Sequence, residues 1–281
     1  MADYSPYREF TQRLKLLISK HPALITTTLS NIFTMRLIGN KTHGDLAEIA
    51  IPEFINQYMY DYSSIHVGKD LYRAKEQEED ITIINDITEQ EVAVSLKAYG
   101  NEFLQLSTDK EFRMFPLLSS QGEDIIRGNT RIKSILESPE FSAFEEINTL
   151  ALIYNEKQMK CNMLVFDADL AKTMIETIRF IPPGGRRKHP VFRFFDAEDG
   201  YICEVRYGDA TANALQRGLW THTKNAITYF ESLTGGWVDY SHNLILVNVF
   251  SHALVASKKG HIEALESVKS DIKEIIQGEG L

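Results

Sequence analysis

Apolar residues recur every three or four positions over residues 6–19 and less regularly over 26–37, which predicts two helices covering one side of a core. A third helix is expected to run from Asp45, a fair N-cap, toward Tyr58. Leu46, Ile49, Phe54 and Ile55 supply its apolar positions and Glu48 lies in its first turn, with Pro52 as an internal irregularity. The pattern then changes. Ile81-Thr82-Ile83-Ile84 and Val92-Ala93-Val94-Ser95-Leu96-Lys97 are short, β-branched runs on either side of a polar stretch, 85–90, and predict two strands of a hairpin. Helices are expected again over 139–154 and 169–179, and Pro182-Pro183-Gly184-Gly185 is the strongest turn signal in the chain. A second β-rich region follows, with strands over 190–195 and 201–207 around a turn at Asp199-Gly200, then a short helix over 210–219 and a strand over 244–250. An amphipathic helix is expected over 262–276.

Composition narrows the class without naming an activity. The 281 residues are 43% hydrophobic and 25% charged, an ordinary globular balance that allows a large core, and one compact domain over 1–281 is expected. Residues 1–10 lack an apolar signal core and no run of ~18 apolar residues follows, so a cytoplasmic protein that does not enter a membrane is expected. Cys161 and Cys203 form no CxxC pair, which suggests neither a zinc site nor a disulfide framework, and both read as core residues. The net charge of −9 disfavours a surface that grips nucleic acid everywhere, so any such contact must come from a local concentration of cations. Arg186-Arg187-Lys188 is the densest cluster, with Arg179 and Arg193 nearby. No phosphate-cradling glycine loop or obvious acid/base or nucleophile motif points to a metabolic α/β enzyme.

Chemistry concentrates on the expected hairpin. Asp80 stands at the start of its first strand and Lys97 at the end of the second, so an antiparallel pairing brings a carboxylate and an ammonium to one sheet edge. Ser95 and Lys97 share a face because side chains alternate along a strand. Hydrolysing a phosphodiester calls for a divalent ion that neutralises charge and lowers the pKa of an attacking water, and a carboxylate oxygen such as that of Asp80 suits Mg²⁺. Lys97 would orient that water and stabilise the developing charge. The competing reading is an ordinary surface ion pair.

Asp followed by a hairpin and an acid-x-Lys triplet resembles the PD-(D/E)xK superfamily, and in particular its type II restriction endonucleases. Here Ser95 stands where the second acid is usual, a departure found in some members of that class. The resemblance implies a restriction-endonuclease-like α/β core, a central mixed β-sheet flanked by helices, with about 40–110 as catalytic core and about 180–250 as DNA-recognition region. It implies catalytic roles for Asp80, Ser95, Lys97 and Glu48, and a Mg²⁺ site at Asp80, Glu48 and Leu96. Glu48 is the first candidate to replace the missing acid and Glu102 the runner-up, while Glu78, Glu79 and Glu91 read as surface charges. The polar stretch 99–108 reads as a loop of the kind that follows the lysine, with Tyr99 near DNA.

Residues 200–223 resemble the DNA-reading portion of the same enzymes. Arg206, Asn213, Gln216 and Arg217 carry the donor patterns that read guanine and adenine edges, and Thr221 and Thr223 suit the DNA backbone. Arg186, Arg187 and Lys188 would contact phosphates from a mobile loop. A Glu204–Arg206 pair on a strand and an exposed Gln216-Arg217 helix face are the plain alternatives. Trp220, Trp237, Phe192, Phe194 and Phe195 read as core aromatics. The resemblance further implies double-stranded DNA as substrate, a homodimer matched to a palindromic site, and a DNA methyltransferase as genetic neighbour. A repair or nicking nuclease of the same fold and a DNA-binding protein without catalysis remain as alternatives.

Overall fold

The computed structural model describes residues 5–38, 43–66, 80–100, 102–109, 111–145, 147–185, 187–207, 217–241, and four single residues, Glu266, Lys269, Ser270 and Lys273. Its contacts group the chain into two compact units, 1–98 with 154–162 and 233–281, and 99–153 with 163–232. Each unit sets helices against a sheet, so the protein is α/β, as its pattern predicts.

The first unit begins with α1 (Pro6–Lys20), where the Ser5 hydroxyl accepts a hydrogen bond from Arg8 N and Pro6 occupies a first-turn position whose N–H would be unpaired anyway. Tyr7, Phe10, Thr11, Leu14 and Ile18 form its buried stripe, and Pro22 opens α2 (Pro22–Ile38) directly behind it. The next helix, α3 (His43–Tyr58), starts two residues before Asp45, which is therefore a helical residue and not the N-cap. Pro52 is tolerated inside it, and the Pro52 carbonyl accepts a hydrogen bond from Ser64 Oγ at 3.1 Å. Three strands follow in the order β1 (Tyr62–His66), β2 (Ile81–Asn85) and β3 (Glu91–Tyr99), all antiparallel. The predicted β2–β3 hairpin is present, with Asn85 Oδ1 accepting from Ile87 N and Thr88 N in its turn. Phe10, Phe33, Ile51, Ile55, Ile81 and Ile83 are fully buried in this unit, and the Phe10 and Tyr62 rings meet edge to face at 5.5 Å.

The second unit is built on a six-stranded sheet. From residue 103 on, the elements in chain order are β4 (Phe103–Thr108), α4 (Met114–Ser120), β5 (Ile125–Arg127), α5 (Asn129–Leu136), a 3-10 turn (Pro139–Phe141), α6 (Ser142–Glu145), β6 (Thr149–Asn155) and β7 (Lys160–Phe166), whose residues 154–162 belong to the first unit, then α7 (Ala168–Met174), β8 (Thr177–Ile181), β9 (Val191–Phe195), β10 (Tyr201–Arg206), β11 (Gly218–His222), α8 (Thr223–Tyr229) and β12 (Phe230–Ser232). The sheet order is β4-β11-β10-β9-β8-β5, antiparallel at each ladder described. One face is apolar: Leu104, Leu106, Ile178, Phe192, Phe194, Val205 and Leu219 join Phe141 and Phe144 in a single core. Side-chain alternation leaves the other face to Gln105, Arg179, Arg193, Glu204 and Trp220, which lie in one row across five strands.

Several expected elements differ. Of residues 139–154 only a short helical segment forms. Thr149-Leu150-Ala151-Leu152-Ile153 is a strand with all five residues buried, a continuous apolar run whose periodicity cannot separate strand from helix. Residues 169–179 divide into α7 and β8, because Thr177-Ile178 pairs with both β5 and β9. The stretch 103–108 is a strand, not a loop, since its polar residues are the outward half of a period-two pattern. Gly218-Leu219 begins a strand where a helix was expected, and the remainder of that helix, 210–216, lies outside the described residues, as does the strand over 244–250. Within 262–276, Glu266, Lys269, Ser270 and Lys273 are helical and exposed. Both cysteines are free and buried. Burial pushes the Cys161 thiol up to about 12 and holds the Cys203 thiol well above its usual value.

Candidate functional sites

The β2–β3 ladder determines where Asp80 sits. Ile81 faces Val94, and Asp80 N donates to Val94 O at 3.3 Å, so Asp80 is the last residue before the pairing ends. Its carboxylate takes over the next rung: Oδ2 accepts from Leu96 N at 2.7 Å and from Ser95 Oγ at 2.9 Å. The residue that replaces the usual second acid is therefore a donor to the first. No partner to Oδ1 is found among the described residues, nor any ion pair to the half-buried Lys97, so the surface ion pair between Asp80 and Lys97 does not form. Lys97 lies two residues beyond Ser95 on the same strand face.

Glu48 is placed against the end of β1. The Glu48 carboxylate lies 3.6 Å from His66 Nε2. His66 pairs with Ile81, and Ile81 with Val94, which places these three on one face of the sheet, while Ser95, the partner of Asp80, is on the other. Among the described residues no group of three or more His, Cys, Asp or Glu side chains is placed to hold a metal ion. The described donors, Asp80 with the main chain of Leu96, do not complete the expected Mg²⁺ set, and Glu78 and Glu79 lie outside the described residues. Glu102 belongs to the second unit, is exposed, and exchanges main-chain and hydroxyl hydrogen bonds with Thr223.

The second unit gathers the cations that sequence had left scattered. A cavity of about 600 Å³ opens on the polar face of its sheet, lined by Arg187, Lys188, Arg193 and Arg206 together with Phe103, Tyr207 and Trp220. At its floor Glu204 accepts from Arg193 Nε at 2.9 Å and from Arg206 Nε at 2.7 Å, with its own side chain only 2% exposed. A carboxylate that dry is stable only when its charge and lone pairs are met, and the two guanidiniums do both. Arg206 also lies over the Trp220 ring at 4.2 Å and the Phe103 ring at 4.4 Å, so its head is fixed by ion pairing and by stacking. Arg187 is not on a loose loop: Gly184 and Arg187 exchange two main-chain hydrogen bonds, and Arg187 Nη2 donates to Pro182 O at 2.6 Å.

The remaining expected contacts divide. Thr221 and Thr223 are buried, with Thr221 Oγ1 donating to Ile202 O at 2.7 Å and Thr223 Oγ1 accepting from Glu102 N, so both hydroxyls are engaged within the second unit. Tyr99 packs against the apolar core of the second unit. Arg217 lies 5.4 Å over the Phe112 ring. Arg186, Asn213 and Gln216 lie outside the described residues. Phe192 and Phe194 are core residues as expected. Trp220 instead lines the cavity, because its place on the outward row of the sheet overrides its hydrophobicity, Phe195 is half-buried, and Trp237, just before a two-residue strand, is 43% exposed. Phe103, Arg193, Glu204, His189 and Tyr207 were missed as cavity residues; the outward spacing of Arg193, Glu204 and Arg206 in two strands was the available signal.

No family model, no curated protein and no solved structure matches this chain. No helix among the described residues is long and apolar enough to cross a membrane.

Proposed function

We propose that the chain is a DNA-cleaving phosphodiesterase of the PD-(D/E)xK kind, with the hairpin as its catalytic centre and type II site-specific cleavage as its reaction. The observation that carries this reading is the hydrogen bonding of Asp80 to Ser95 and Leu96, the two residues just before Lys97, at one end of an antiparallel hairpin, with one carboxylate oxygen fixed by two donors. In that arrangement the other oxygen of Asp80 is left for a metal ion and Lys97 supplies a charge two residues from Ser95. The cavity of the second unit, with four cationic residues against one carboxylate, supports contact with nucleic acid on a chain whose net charge is −9. Mg²⁺, a homodimer and a neighbouring methyltransferase belong to the same proposal.

A second reading has its own support. The Asp80 carboxylate serves as a ladder cap and no three-donor group is found among the described residues, which suits a DNA-binding protein of this pattern without catalysis. Incubating the protein with unmethylated phage DNA and Mg²⁺ or Mn²⁺, with Asp80→Ala as control, separates the two. Discrete fragments that vanish in the variant support the nuclease, nicked circles the repair-type enzyme, and intact DNA that is nonetheless retarded on a gel the binding protein.

A further inference from the structure

We infer that the cavity on the second unit is a nucleotide site, taking a planar aromatic base together with its phosphate. Arg193 and Arg206 each spend Nε on the buried Glu204, and their terminal amino groups have no hydrogen-bond partner among the described residues. The triad carries a net charge of +1, and Arg187 and Lys188 raise the lining to +3, so the occupant is an anion. Guanidiniums held through Nε present their remaining N–H groups in a fixed fork, the geometry that matches phosphate oxygens. A buried carboxylate between them keeps the two forks apart and prevents their mutual repulsion from turning either head away.

Size and wall chemistry then narrow the anion. About 600 Å³ lies within the ~300–1,000 Å³ range of small-molecule pockets and far exceeds what one phosphate fills. The rest of the lining carries three aromatic rings, Trp220, Phe103 and Tyr207, beside Gly184, His189, Pro190 and Val191. Trp220 Nε1 and Arg187 Nε are buried donors without a partner among the described residues, unusual for native polar groups and matched by the acceptors on a base edge or a sugar-phosphate. Aromatic and guanidinium planes at one cavity are what a base stacks on. The nucleotide has two sources, a free mononucleotide or one turned out of a DNA strand.

The inference does not depend on cleavage at Asp80, and the experiment keeps the two apart. Titration of the full chain by calorimetry uses the four deoxynucleoside 5′-monophosphates, inorganic phosphate and the unphosphorylated deoxynucleosides as probes. A mononucleotide should bind at least tenfold more tightly than either phosphate or nucleoside alone, Lys188→Ala should weaken it severalfold, Arg206→Gln tenfold or more, and Asp80→Ala not at all. Lys188 is exposed, so its variant tests the site even where replacing Arg206 disturbs the fold. A fluorescent 2-aminopurine placed in duplex DNA distinguishes the sources: brightening that mononucleotide competes away marks a base drawn from the strand, and mononucleotide binding with unchanged duplex fluorescence marks the free ligand. Phosphate binding as tightly as the nucleotide, nucleoside binding without regard to phosphate, or no binding of any probe would overturn the inference.

Discussion

Two carboxylates in this protein are held in opposite ways. In the first unit Asp80 accepts from neutral donors, Leu96 N and Ser95 Oγ, so its negative charge is oriented but not cancelled. In the second unit Glu204 accepts from two guanidiniums and is overcompensated. The hairpin end thus suits a cation and the cavity an anion, although each is built around an acid on a strand. Partners, not residue type, determine the sign that a site presents.

Substitutions in the two units should differ in what they change. Lys97→Ala should lower DNA cleavage by about 10²–10⁴-fold while leaving gel-shift affinity for DNA largely intact, as expected of a group acting in the transition state. Cleavage at the wild-type rate would remove the hairpin from the chemistry and leave the cavity as the one candidate site. Phe194→Ala should cost about 3–5 kcal/mol in denaturant unfolding, since Phe194 is fully buried under the sheet that carries the cavity. Glu204→Gln should cost about 2 kcal/mol, less than the ~3–5 kcal/mol for breaking a fully buried pair because Arg193 and Arg206 keep some water. An unchanged midpoint would show that the two guanidiniums do not need their shared carboxylate. Ser95→Ala removes one of two donors to Asp80 and should cost about 0.5–1.5 kcal/mol, with a smaller loss of cleavage than Lys97→Ala.

The smallest effect is one of pH. Burial first, with Lys224 adding to it and Glu204 opposing, lowers the pKa of His222 below its usual 6.5. The unfolded chain therefore binds a proton near pH 6.5 that the native protein refuses, so this contribution to stability is complete above pH 6.5 and falls as pH drops toward the native pKa. His222→Gln should flatten the dependence of unfolding free energy on pH in that window, and an equal slope in the variant would assign the dependence to other groups.

Replacing a glycine probes the register on which the cavity depends. Gly218 lies opposite Arg206 with φ of +122°, and a Cβ there would collide with the Ser107 carbonyl oxygen. Gly218→Ala should force β11 away from β4 and loosen the stack of Trp220 on Arg206, read as a change in tryptophan fluorescence.

Local physics made part of this protein legible in its sequence. The helical stripe of α1, the β2–β3 hairpin and the turn at Asp199-Gly200 follow from periodicities and turn residues acting over a few positions, and with the hairpin came the neighbourhood of Asp80, Ser95 and Lys97. Where an apolar run has no period, as in Thr149–Asn155, the sequence is silent, because a fully buried strand and a buried helix use the same residues. Tertiary structure alone decided that Glu48 meets His66, and that Phe103, Arg193, Glu204, Arg206 and Trp220 share one cavity. These residues come from four strands whose order, β4-β11-β10-β9, depends on long-range pairing, and no local pattern encodes which distant strand will lie alongside.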